Sequence, residues 1–226
     1  MAIAISTMTP ELRVELPGVP TPILNAALYR VIRQFFWQSE AWKYTYDNGL
    51  DWTLNQLAVE SPTPGTDIPA KCIVKRVDTI QYDADGTAWD SEIPFKTRDE
   101  LDRENPDWYS EVGTSPRAWT HGNDGAALIT PQVAATVTTA LLIRAVIAPV
   151  FTIVTDTLPE FLYYEFEETI KAGVLAQLKK QPGKDRSNPQ STVFYGSAFV
   201  AGMQQAKSRA QADFGQPKDS MAYGGI

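Results

Sequence analysis

Asp83-Ala84-Asp85-Gly86, with Glu92 six residues beyond the glycine, comes nearest in this chain to a cation loop. Two carboxylates ahead of a glycine turn and an acid downstream would offer hard oxygen ligands to calcium. The first ligand position of such a loop falls on Gln81, however, and the flanks carry strand-type residues where a calcium loop has helices. The segment therefore reads as a hairpin turn, and calcium at Asp83–Glu92 stays an open question. Hydrolysis by general acid and base needs paired carboxylates, and Glu60 with Asp67, or Glu165, Glu167 and Glu168, supply candidates. In a chain with 27 acidic residues these read first as solvated surface. His121 is the single histidine; Ser115 and Asp124 lie close in sequence, but no nucleophile-elbow pattern surrounds them. No glycine-rich phosphate loop ending in Lys and Ser or Thr occurs. Cys72 is the single cysteine, which rules out an intrachain disulfide and, with one histidine, a Cys/His zinc site within one chain. No catalytic, metal-binding or cofactor-binding residue is assigned, and the expectation is a protein that is not an enzyme.

The aromatic residues offer a different chemistry. Trp37, Trp42, Trp52, Trp89, Trp108 and Trp119 all lie within positions 37–119, where they could stack on sugar rings, fill a thin core or stud a subunit interface. Core or interface is the favoured reading, with Trp89, Trp108 and Trp119 as candidate contact aromatics. Lys179, Lys180, Lys184 and Arg186 cluster where a helix should end, so they suit its negative dipole end; contact with DNA or an acidic partner is the lesser reading.

The chain of 226 residues has a formal charge of −7 and a pI of about 4.8, which argues against a protein that grips nucleic acid by neutralising phosphates. Hydrophobic residues at 43% and charged residues at 21% allow a buried core. The longest apolar run, Ala140 to Ala148, is broken by Arg144 and falls far short of the ~20 residues that span a bilayer. Met1 to Leu12 lacks the basic and apolar regions of a signal peptide, and a soluble chain is expected.

The elements that must position these residues follow from spacing. Leu24, Ala27, Leu28, Val31, Ile32, Phe35 and Phe36 make one apolar helical face; Thr21 as N-cap and Pro22 as first helical residue predict a helix from there to about Glu40. Trp42 follows as an anchor. Lys43 to Val59 is β-like around the turn signal Asp47-Asn48-Gly49. Ala70 to Tyr82 reads as a strand that turns into a partner strand. Thr97 and Glu100 have capping-box spacing for a short helix that stops before Asn105-Pro106, which frees Trp108 and Tyr109 to pack on the sheet. Arg117 to Ile129 reads as a hairpin turning at Gly122-Asn123-Asp124-Gly125, and Ala135 to Ala148 as the long central strand. Pro159 opens a helix to Lys180 with Leu162, Phe166, Ile170, Val174 and Leu178 on one face, and Gly173 marks a close crossing. A last helix, from about Pro189 to Phe214, sets Tyr195, Phe199, Gly202, Met203, Ala206 and Ala210 along one side. Neither end can bury its stripe alone. The fold class is therefore α+β: a small helical bundle from residues 1–42 and 150–215, an inserted antiparallel β-rich lobe at 43–149, and a flexible tail at 216–226.

This order of elements resembles the head-to-tail adaptor, or connector, proteins of tailed bacteriophages. Four places carry the resemblance: Leu16-Pro17-Gly18-Val19-Pro20 with Ala26-Ala27-Leu28, Phe35-Phe36 and Trp42; Trp108-Tyr109 with Gly113, Pro116 and Trp119; Pro159-Glu160-Phe161-Leu162 through Ile170, Gly173, Leu175 and Leu178; and Tyr195 and Phe199 leading to Gly202, Ala206, Lys207 and Phe214-Gly215. The resemblance implies a dodecameric ring in the virion neck, synthesised in the host cytoplasm, with the portal protein on one side and tail or nozzle proteins on the other. DNA would pass through a central channel without specific binding, and no membrane or cofactor is involved. Met221, Tyr223 and Ile226 then become candidate portal-contacting anchors on the tail. Two other readings stay open, a carbohydrate-binding or hydrolytic tail component using Trp89, Trp108 and Trp119, and a tail-tube or terminator subunit that would be mainly β.

Overall fold

The computed structural model describes residues 2–45, 50–53, 58, 64, 68–83, 91–122, 126–150, 156–181 and 187–212. Along the chain, strand β1 (Ala2–Ala4) passes through a 3-10 turn (Ile5–Met8) into α1 (Thr9–Glu15), then α2 (Thr21–Ser39). Strands β2 (Lys43–Thr45), β3 (Leu50–Trp52), β4 (Cys72–Tyr82) and β5 (Ser91–Glu92) precede α3 (Arg98–Glu104). Then come β6 (Val112–Gly113), β7 (Ala118–His121), β8 (Ala127–Thr130), β9 (Gln132–Val133) and β10 (Val137–Pro149). Strand β11 (Thr157–Pro159), α4 (Glu160–Lys179) and α5 (Pro189–Ala212) complete the order. The fold is α+β, and the chain divides into two units: a helical unit of Met1–Trp42 with Phe151–Ile226, and a β-rich unit of Lys43–Val150.

In the helical unit the apolar ladder of α2 is buried from Leu24 to Phe36 and packs on α4 and α5. Phe35 is the hub, with its ring centroid 4.9 Å from Phe166 and 6.5 Å from Phe199. Phe36 turns to Trp42 at 5.5 Å. Bringing three helices this close requires missing side chains at the crossing. A Cβ on Gly173 would lie 2.6 Å from Val31 Cγ1 and 2.7 Å from Phe199 Cδ2. The sequence reading of Thr21 as N-cap is corrected. Pro20 holds the cap position without a side-chain bond, and the Thr21 hydroxyl instead accepts a hydrogen bond from Arg13 Nη2, tying α2 to α1. Gly18, at φ 77°, makes the turn between those two helices. Residues 2–16 are structured beyond what spacing predicted: Ile5, Met8, Leu12 and Leu16 are all buried, and β1 pairs antiparallel with β11.

In the β-rich unit β10 is the central strand, flanked by β4 along nine paired residues on one side and by β2 and β3 on the other. Register shifts near Arg144 and Val146 mark bulges that curve it. Strand β5 adds to β4 through Gln81 and Glu92, so the predicted partner strand exists but is only two residues long. The turn residues 84–90 and the Asp47-Asn48-Gly49 signal lie outside the described residues. The capping box is formed: the Glu100 N–H donates to Thr97 Oγ1, and the Thr97 N–H donates to Glu100 Oε2 at 2.7 Å. Strands β7 and β8 pair from Ala118 with Thr130 to His121 with Ala127.

Candidate interaction surface

Several of the described residues whose types suggested chemistry have structural partners. Asp83 is buried, and its backbone N–H donates to the Ala140 carbonyl at 2.9 Å, while Glu92 is exposed. Among the described residues no group of three or more His, Cys, Asp or Glu side chains could hold a metal ion. His121 sits edge-on against Trp119 at 5.1 Å and beside Phe95 at 5.3 Å; burial, and then the nearby Arg76 charge, hold its pKa below the usual value. Burial pushes the Cys72 thiol up to about 12, so it is inert at neutral pH.

The helix carboxylates are engaged with cations. Glu165 pairs with Arg209 at 2.6 Å. Glu167 pairs with Lys171 at 2.8 Å and accepts a hydrogen bond from the Tyr163 hydroxyl at 3.0 Å, and Glu168 pairs with Lys171 at 3.2 Å. Glu11 of α1 is the fourth member, also bonded to Lys171. Burial alone would lower the Lys171 pKa, but the hydrogen bonds its ammonium donates to Glu11, Glu167 and Glu168 outweigh it and the net shift is upward. The cluster clamps α1 to α4. Lys179 does the same at the far end, pairing with Glu15 at 3.5 Å and lying 4.9 Å from the Tyr195 ring centroid. Glu60, Asp67, Lys184 and Arg186 lie outside the described residues.

The candidate contact tryptophans need correction. Trp119 is 2% exposed and meets Phe95 edge-on, and Trp108 is 7% exposed in a cluster with Leu101 and Ala118, its Nε1 donating to Asp102 at 2.8 Å. A buried indole presents no face to a sugar or a partner, so both are core residues. Tyr109, expected to pack on the sheet with Trp108, is instead exposed, its ring set edge-on to Trp108 at 6.4 Å. Trp89, Met221, Tyr223 and Ile226 fall outside the described residues. Trp37 is the exposed tryptophan among the described residues, on the outer side of α2.

Two surfaces of the helical unit stand out once these roles are assigned. The first is a groove of about 540 Å³ between α1, α4 and α5, with Val14, Leu175, Phe194 and Tyr195 in its apolar lining and Glu11, Glu15 and Glu168 among its polar residues. Val14 and Phe194 are 81% and 69% exposed, an arrangement costly in water for side chains of that size. The second is a hollow of about 650 Å³ on the outer side of α2, formed by Tyr29, Arg30, Arg33 and Trp37 with their neighbours. Sequence spacing missed both, because the groove draws residues from helices about 160 positions apart. The signal available for the second was α2 itself, which carries two arginines and no acid in an acidic chain.

No protein-family model matches the chain, and no curated protein matches it. The surfaces themselves therefore carry the functional argument. No helix among the described residues is long and apolar enough to cross a membrane.

Proposed function

We propose that this protein is a structural component of a tailed-bacteriophage virion, a head-to-tail adaptor that forms a ring between portal and tail. The reading starts from the resemblance of the element order to such adaptors. The observation that carries it further is the exposed apolar face of the helical unit. Phe161, Tyr164, Val193, Phe194 and Val14 stand in solvent around a core already filled by Phe35, Phe36 and Phe166. Apolar side chains left outside a complete core mark surfaces that another protein covers.

The charge is consistent with a conduit. Twelve copies at −7 each would give a ring about −84, and a wall of that sign does not condense on phosphate, so a duplex slides through without ion pairs to hold it. In this reading the protein has no enzymatic role, works in the virion neck, and contacts tail or nozzle proteins opposite the portal. The burial of Trp108 and Trp119 weighs against a sugar-binding reading, which drew on both of them together with Trp89. The helices weigh against a mainly β tail-tube or terminator subunit.

The test is to mix the purified chain with its candidate portal and image the mixture by electron microscopy, with mass photometry for stoichiometry. Rings seated coaxially on the portal are expected. A chain that never joins the portal refutes the assignment.

A further inference from the structure

We infer that the groove between α1, α4 and α5 of one copy receives the outer face of α2 of a second copy, so that identical chains associate head to tail. The inference rests on the adaptor reading for its setting and names the surfaces by which copies would join.

The two surfaces lie on opposite sides of α4. Phe166 and Gly173 of α4 face α2, through Phe35 and Val31. Glu168 and Leu175, which line the groove, each follow two residues later, about 200° around a helix of ~3.6 residues per turn. The inner face of α2 is committed to α4 and α5, so Tyr29, Arg30, Arg33 and Trp37 point away from the groove of their own chain. One copy therefore cannot satisfy its own groove with this face, and a neighbour can.

The chemistry of the two faces matches. The groove lining holds Glu11, Glu15 and Glu168 against Lys171, three carboxylates to one ammonium group, with Lys179 pairing with Glu15 beside it. The α2 face holds Arg30 and Arg33 with no acid anywhere in Thr21–Ser39, and neither arginine has an ion-pair partner among the described residues. Trp37 and Tyr29 supply large aromatic anchors for a slot lined by Val14, Leu175 and Phe194, the pairing of aromatic and Arg side chains typical of interface hot spots. A contact between two different patches of the same chain is heterologous. Repeated, it closes into a ring or continues as a filament, whereas a contact of one patch with itself stops at two.

That distinction gives the test. Two full-length variants are made at exposed positions, Arg30→Glu with Arg33→Glu to spoil the α2 face, and Val14→Asp with Phe194→Asp to spoil the groove; circular dichroism verifies that both fold. In mass photometry the wild-type chain is expected to form oligomers, and each variant alone to associate at least about tenfold more weakly, the loss expected when a close charge pair or an anchor is removed. An equimolar mixture of the two variants keeps one good groove and one good α2 face and should yield dimers and nothing larger. A wild-type chain that stays monomeric at the highest concentration reached, variants that assemble as the wild type does, or a mixture that gives no dimers would each overturn the inference. Portal binding separates this from the adaptor assignment: variants that still form full rings on the portal leave the adaptor standing and this interface wrong. Head-to-tail dimers from a chain that ignores the portal do the reverse.

Discussion

Replacing Gly173 by alanine should destabilise the helical unit although alanine is the better helix former. In an exposed helix the exchange gains ~1 kcal/mol, because glycine loses more backbone freedom on folding. At Gly173 the new methyl meets three atoms inside 3.0 Å: Val31 Cγ1 at 2.6 Å, Phe199 Cδ2 at 2.7 Å and Phe199 Cε2 at 2.9 Å. The neighbours cannot step aside. Val31 is β-branched and holds one rotamer in a helix, and the Phe199 ring is already packed toward Phe35. The crossing must therefore open, and overpacking of this kind costs ~1–3 kcal/mol. We expect Gly173→Ala to lose about 1 kcal/mol net of the propensity gain. Gly196 on α5 is the internal control. A Cβ there meets nothing within 4 Å, so Gly196→Ala should gain about 0.5–1 kcal/mol. Both positions lie in the helical unit, so one urea titration followed by far-ultraviolet circular dichroism compares them in the same transition, at low protein concentration so that association does not contribute. If the two midpoints move in the same direction, or Gly173→Ala matches the wild type, the packing argument fails.

Three further outcomes are expected. Thr97→Ala should cost about 1 kcal/mol in the β-rich unit by removing the acceptor for the Glu100 N–H, and Thr97→Ser should recover most of it, read by chemical denaturation. Cys72 should resist iodoacetamide in the native protein at pH 8 and react fully in denaturant, since burial keeps its thiol protonated; rapid native labelling would show that the thiol is reachable. Lys171→Met should cost roughly 1–3 kcal/mol, because it leaves Glu11, Glu167 and Glu168 facing one another without a cation. The pH dependence has a definite sign. The Lys171 pKa is higher folded than unfolded, so its contribution is complete below the unfolded value of about 10.4 and fades as pH rises through the folded one. Wild-type melting temperatures should fall above that pH more steeply than those of Lys171→Met.

Local signals are legible in the sequence where the physics is local. The α2 ladder, the Thr97 capping box and the β7–β8 hairpin each fit within one short window of sequence, and each forms as spacing predicts. The N-terminus was missed although Ile5, Met8, Leu12 and Leu16 carry a usable pattern, because the helix there is only seven residues long and the pairing of β1 with β11 joins residues some 150 positions apart. Tryptophan position misled for a related reason. Residue type says that an indole buries much area, and only the three-dimensional packing of Leu101, Trp108 and Ala118 says that the area goes inward. The groove required α1 and α4 to be brought together by Lys171, a contact across 160 residues that no window contains.

The pairing of β1 with β11 sets a timetable for synthesis. The first 42 residues emerge with the α2 stripe exposed and no partner, since β11, α4 and α5 have yet to be made. At ~5–20 residues per second the ribosome needs on the order of ten seconds to deliver them. Residues 43–150 reach completion in that interval and can fold first, while the nascent N-terminal segment is the part that calls for shielding by a chaperone.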